Sequence, residues 1–400
     1  MNHLKRLALT IAIASITFPS WSCAAPSHLS TKEQNVLHNI SIDSNGEVEH
    51  TTLAKAMDFY NVPAISFAVI NNNEITWVDS IGYIDADHRQ KVDNDTLFQA
   101  GSMSKSVAAI TALSLVEHGF LTLDENALPL LKGWSLRKTT QFKHAQVTLR
   151  ELLSMSSGLN VGGYYGYEPN QKLPSLIQTL NGAKPANNQP VQMVYKPGSQ
   201  YSYSGGGYEV VQLLSASQTG LSAQQSGDKF VFKPLDMQHT FYEQPLSKTH
   251  AKNAAYATDE QGKNFPFRWR ISPERAAAGL WTTPTDLAKF VLSVMHAYQG
   301  KTGQVISHKL ALEALTKQTH TPYGLGFVIE DKGNTLHFMK LGQNSGYQGW
   351  LVGLPNTGQG MVVMTNSDNG RELAQDLIEA VAKAYQWPIT GKLKDAWMVS

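Results

Sequence analysis

Strand-forming segments lie near the two ends of this chain, and the long stretch between them holds few. Residues 64–70 and 74–78 are rich in β-branched and aromatic side chains and flank Asn71-Asn72-Asn73. Asparagine tolerates turn conformations, so this spacing predicts a β-hairpin. Residues 326–329, 349–354 and 361–365 read as further strands, the last two punctuated by Pro355 and Gly358. Residues 125 to 300 are instead rich in Gly, Pro, Ser and Tyr, and residues 181–190 read as a loop. Helical spacing links Met103, Val107 and Ile110, with Gly119 as a stop signal. A second apolar stripe joins Leu373, Leu377, Val381 and Tyr385. The expected fold is α+β: one antiparallel sheet built from both ends and flanked by helices, plus a mostly helical region. The α/β part is expected over 26–125 and 300–400, and the helical part over 126–299.

Residues 1–25 form a separate unit. Lys5 and Arg6 precede an apolar run over 7–18, and Ser22-Cys23-Ala24-Ala25 follows. That is the layout of a secretory signal peptide cut near Ala24 or Ala25, and it predicts a periplasmic or secreted product. A lipoprotein would use Cys23, but Ser20 stands where such sites usually carry leucine. Cys23 is the only cysteine, so the mature chain is expected to hold neither a disulfide nor a cysteine nucleophile. No later stretch has 18 uninterrupted apolar residues, so no integral membrane segment is expected after cleavage. Thirty-three basic and 32 acidic residues nearly cancel, which argues against a nucleic-acid partner. The oligomeric state is not legible.

The chemistry centres on Ser102-Met103-Ser104-Lys105. A serine hydroxyl needs a base within reach to act as a nucleophile. Spacing of three on a helix puts serine and lysine on one face. Gly101 before the serine places it near a helix N-terminus, where free N–H groups favour negative charge. The same spacing recurs at Ser135/Lys138 and Ser226/Lys229. Only the first copy opens an apolar helix after a strand-like segment.

The segment 96–105 resembles the nucleophile motif of the β-lactamase and penicillin-binding-protein superfamily. It is most similar to the class C β-lactamase-like branch with its esterases and D-amino-acid peptidases. Leu121-Thr122-Leu123-Asp124, residues 147–159 and residues 276–287 match that family's blocks in order, so the resemblance covers nearly all of 50–385. It implies one serine hydrolase domain over 26–400, with an ester, D-peptide or β-lactam acyl group as substrate. It also implies Tyr203, after the Pro197-Gly198 turn, as the residue that takes or passes the Ser102 proton. Gly205, expected at the substrate-binding site, stands where the family's asparagine would contact a substrate amide. Lys340-Leu341-Gly342 occupies the third motif, with leucine in place of threonine. There Lys340 would supply positive charge, Gly342 would admit substrate to the backbone, and the N–H groups of Ser102 and Gln343 would form the oxyanion hole. The literal Lys301-Thr302-Gly303 lies between turn glycines and reads as a solvated turn. A penicillin-binding sensor with little turnover is the alternative that Gly205 favours.

An α/β-hydrolase elbow, Gly-x-Ser-x-Gly, is missing from the sequence, and no His-Glu-x-x-His or phosphate-binding glycine loop occurs. Neither metal nor cofactor is therefore expected. His337 alternates within a strand and reads as structural. Tyr164, Tyr165, Tyr167, Tyr201 and Tyr208 either line an acyl pocket or fill a small core; sequence leaves both open.

Overall fold

The computed structural model describes residues 29–44, 46–137, 140–331 and 335–389. The expected signal peptide at 1–25 and Lys138 of the second Ser/Lys pair lie outside the described residues.

Six strands form one sheet: β1 (Ala64–Asn71), β2 (Glu74–Gly82), β3 (Val328–Glu330), β4 (His337–Asn344), β5 (Tyr347–Leu354) and β6 (Gln359–Thr365). Their order is β2-β1-β6-β5-β4-β3, with every neighbouring pair antiparallel. The expected hairpin forms on Asn72 and Asn73, whose φ values of 51° and 63° are the left-handed pair a two-residue turn needs.

Side chains alternate across β5 and show what covers each face. A Cβ added at Gly349 would meet Met103 Cε at 2.8 Å, and one at Gly353 would meet Val291 Cγ1 at 3.0 Å. That face therefore carries helices α1 (Met103–Glu117) and α3 (Pro284–Tyr298). On the opposite face Arg371 of α4 (Gly370–Ala384) lies over the Trp350 ring at 5.8 Å. The short helices Thr31–Leu37 and Leu53–Tyr60 pack around α4. With both faces covered, β5 and β6 are buried along their whole length. Half-exposed antiparallel strands alternate polar and apolar residues; these read as continuous apolar runs because no face meets water.

Helix α1 is more enclosed than a one-sided apolar stripe implies. Every residue from Met103 to Leu115 is buried, including Ser104, Lys105 and Ser106. The sheet covers one side, and α2 (Gly205–Thr219) with the short helix Arg275–Ala278 covers the other. The helix ends at His118, and Gly119 follows at φ 73°, as a C-terminal glycine should. In α4, Leu373, Leu377 and Val381 form the buried stripe.

One expected boundary moves. Helix α3 falls in the span assigned to the helical part, yet it packs on β1, β5 and β6. The sheet-bearing part therefore reaches back to Trp281, which pairs with Gln99. The composition of residues 125 to 300 marks the segment as short of strands, which does not say which layer receives its helix.

Candidate active site

The site begins with two glycines that let backbones touch. Gly101 has φ 51°, and a Cβ there would lie 2.5 Å from the Gln343 nitrogen. At Gly342 a Cβ would lie 2.1 Å from the Ala100 carbonyl oxygen. The room at Gly342, expected to admit substrate, thus goes to residue 100: the glycine seats the Ser102 segment against β4. No other residue type fits that contact without moving main chain.

Ser102 is the N-cap of α1, at φ −68° and ψ −7°, and its side chain makes no capping bond. The hydroxyl is thereby left to other partners. Lys105, one turn on, donates from Nζ to Ser102 Oγ at 2.9 Å and to the Ala277 carbonyl at 2.7 Å. Burial disfavours its ammonium form and brings its pKa down to about 7, with the Glu209 carboxyl opposing part of that fall.

Tyr203 reaches the same oxygen from the helical side, its hydroxyl 3.0 Å from Ser102 Oγ. The neighbouring Ser204 holds it in place. Ser204 Oγ caps α2 by accepting from Gly207 N at 2.8 Å and donates to the Asn160 carbonyl at 2.7 Å. Lys340 on β4 is fully buried and donates to Tyr203 at 3.2 Å and to Tyr323 at 2.8 Å. Burial lowers its pKa; Tyr203 offsets part of this and Lys105 adds to it. Five side chains from four separate stretches therefore join in one line: Lys105, Ser102, Tyr203, Lys340 and Tyr323.

A cavity of about 480 Å³ opens on this line, walled by Tyr164, Tyr165, Leu341, Gln343, Asn344 and Asp368 as well as Ser102, Lys105 and Tyr203. Gly205 does not reach it. A Cβ there would meet the Gly162 carbonyl oxygen at 3.0 Å and Tyr164 Cε2 at 3.1 Å. The space an asparagine side chain would use is filled by the loop over residues 162–164, which corrects the expectation that Gly205 contacts substrate.

The other candidate residues take separate places. Lys301-Thr302-Gly303 is an exposed turn. Lys229 lies over the Phe230 ring, away from the cavity. His337 is buried in β4 beside the Thr335 carbonyl at 2.9 Å. The tyrosines divide: Tyr164 and Tyr165 wall the cavity, Tyr201 stacks on Tyr323, and Tyr208 is core, donating to the Leu153 carbonyl. Among the described residues no group of three or more His, Cys, Asp and Glu is placed to hold a metal, and no helix is long and apolar enough to cross a membrane. Sequence reading missed Tyr323, Glu209 and the Ala277 carbonyl. A carbonyl has no sequence signal, and the other two carry no periodicity that marks them.

An antiparallel sheet flanked by helices, with a helical region over one edge of a Ser–Lys–Tyr–Lys line, defines a β-lactamase/transpeptidase-like fold of the serine hydrolase superfamily. The β-lactamase family model matches residues 50–386, and the chain belongs to that family. Among known proteins it is 23% identical over 358 residues to protein flp of Staphylococcus aureus (strain MW2), covering 84% of this chain and 66% of flp. It is 26% identical over 284 residues to the unguisins hydrolase ungD of Aspergillus violaceofuscus, covering 64% of this chain and 46% of that protein. The chain thus spans less than two thirds of either relative. A β-lactamase of Pseudomonas fluorescens is 23% identical, covering 80% of this chain and 93% of its own length. The octameric penicillin-binding protein homologue from Pyrococcus abyssi superposes with a TM-score of 0.66 at 22% identity, over 83% of this chain and 75% of that one.

Proposed function

We propose that this protein is a serine acyl hydrolase with Ser102 as nucleophile. The observation that carries the reading is the pair of groups at Ser102 Oγ, Lys105 at 2.9 Å and Tyr203 at 3.0 Å. A lysine whose pKa is brought to about 7 is half neutral there and can accept the serine proton. Ser102 Oγ then bonds to the carbonyl carbon of an ester or amide. The resulting oxyanion lies against the N–H groups of Ser102 and Gln343. Collapse breaks the bond to the leaving group, which takes a proton through Tyr203, whose hydroxyl Lys340 orients. Water attacks the acyl-enzyme by the reverse proton path and frees the acid.

An ester suits the cavity better than a β-lactam or another substrate that carries an amide side chain and a carboxylate. The asparagine position is Gly205 and its space is occupied, and Leu341 offers no hydroxyl to a substrate carboxylate. The layout of residues 1–25 supports a periplasmic or secreted site of action.

Intact-protein mass after mixing with a fluorophosphonate, and separately with a penicillin, tests the reading against Ser102→Ala. A fluorophosphonate adduct on the wild type that the variant lacks is the expected result. No adduct with either reagent overturns it. A penicillin adduct that persists for hours indicates the low-turnover sensor instead.

A further inference from the structure

Behind Lys105 lies a second set of buried ionisable groups with no part in the steps above. Glu209, on α2, is 1% exposed and accepts from the Ala277 nitrogen at 3.0 Å through Oε1. The carbonyl of that same residue receives the Lys105 ammonium at 2.7 Å. One peptide unit on either side of Ala277 therefore joins Glu209 to the base. Gln212, one turn along α2, accepts from the Ala276 nitrogen at 3.0 Å, so α2 holds the Arg275–Ala278 turn at two successive N–H groups. The turn opens with Glu274, fully buried, whose carboxyl oxygens meet no hydrogen-bond partner among the described residues.

We propose that Glu209 is a positioning residue for this site: it fixes the Ala277 peptide that holds Lys105, and its charge is coupled to that of Lys105, with Glu274 as the opposing charge. The proposal rests on the serine hydrolase reading. The groups facing Glu209 are Lys105 on α1, Glu274 and Arg275 on the turn, and the phenols of Tyr164 and Tyr242. Arg275 turns its guanidinium to the Tyr242 carbonyl at 3.0 Å. Burial raises Glu209 to about 8, helped by Glu274, and raises Glu274 to about 7. The Glu209 carboxylate works against the burial that lowers Lys105, and Lys105 in turn works against the burial that raises Glu209. Ionised Glu209 favours the ammonium; ionised Glu274 disfavours ionised Glu209.

The signs give a test with two opposite outcomes. Glutamine at 209 keeps the acceptor for Ala277 but can never be an anion, so Lys105 loses a group that stabilised its charged form. Glutamine at 274 removes the repulsion, Glu209 ionises more readily, and Lys105 holds its proton to higher pH. The rate of fluorophosphonate labelling of the full chain against pH reads this directly. The acid limb is expected to move down by roughly a few tenths of a pH unit in Glu209→Gln and up by about half a unit or more in Glu274→Gln. Residues that only supported the fold would change the melting temperature and leave both limbs in place. Limbs that stay put, or move together, overturn the proposal. If Glu209→Gln does not fold, Glu274→Gln decides alone: an upward shift supports the coupling and no shift ends it. A folded wild type that never labels is a different result, because the hydrolase reading fails first and the positioning role falls with it.

Discussion

The two walls of the cavity are built in different ways. The wall carrying Ser102, Lys105, Lys340 and Gln343 is set by backbone pressed on backbone, with Gly101 on Gln343 and Gly342 on Ala100. The wall carrying Tyr203, Tyr164 and Tyr165 is a loop tied to the start of α2, by Ser204 Oγ to the Asn160 carbonyl and by the Gly205 and Gly206 N–H groups to the Gly162 and Val161 carbonyls, and it ends in a Tyr165 that is 83% exposed. The first wall pins Ser102 by glycine contacts on both of its flanks, whereas the second ends in an exposed side chain, so Tyr165 has room to shift without moving Ser102 or Tyr203. The departures from the family pattern follow the same division. At Gly205 the loop side refills the lost volume, while at Leu341 the sheet side simply exchanges a hydroxyl for an apolar group.

The largest effect should come from Lys105→Met, which removes the base without removing the volume. Labelling of Ser102 should drop by about 10²–10⁴-fold. In the wild type Lys105 is protonated below its pKa of about 7, so the rate should fall as pH drops through that value, and the variant should lose this limb. Next is Gly342→Ala, which must push the Ala100 carbonyl away. It should cost about 1–3 kcal/mol in a denaturant titration and slow labelling as well, because Ser102 moves with Ala100. On the softer wall Gly205→Asn meets a carbonyl at 3.0 Å and the edge of a ring at 3.1 Å, and about 1 kcal/mol is expected, with no gain in penicillin acylation. A cost above that of Gly342→Ala would reverse the contrast between the walls. The smallest effect is Tyr165→Ala, within about 0.5 kcal/mol in stability. It should raise KM for acyl substrates and leave kcat alone; a fall in kcat would place that loop among the parts that fix the reacting atoms.

Much of this was readable in residues. Strands at both ends announced themselves as apolar runs with turn residues between them, and Asn72 and Asn73 fixed the hairpin. Ser102 and Lys105 were found because one helical turn is a local relation, and Tyr203 because a Pro-Gly turn and a family order pointed to it. Tyr323 and Glu209 were not, since each matters only through a partner brought near by the fold. The roles first given to Gly205 and Gly342 erred for a related reason. A glycine shows that room is needed, and only the neighbours show whether substrate or protein takes it. Helix α3 was assigned to the helical part because composition shows where strands are few and not what a helix packs against.

The strand order has a consequence for how the protein is made. β1 and β2 precede the cavity's helical wall, yet β1's partner on the inner side is β6, near the other end of the chain. Bringing such distant segments together costs loop-closure entropy that no local contact repays, and sheets of this kind close slowly. As synthesis proceeds, the hairpin holds an apolar edge with nothing to pair with until almost every residue has been added. A chain stopped before Gln359 lacks that partner altogether. It would present the open β1 edge to other chains, so loss of the last strand should lead to aggregation and not to a smaller folded protein.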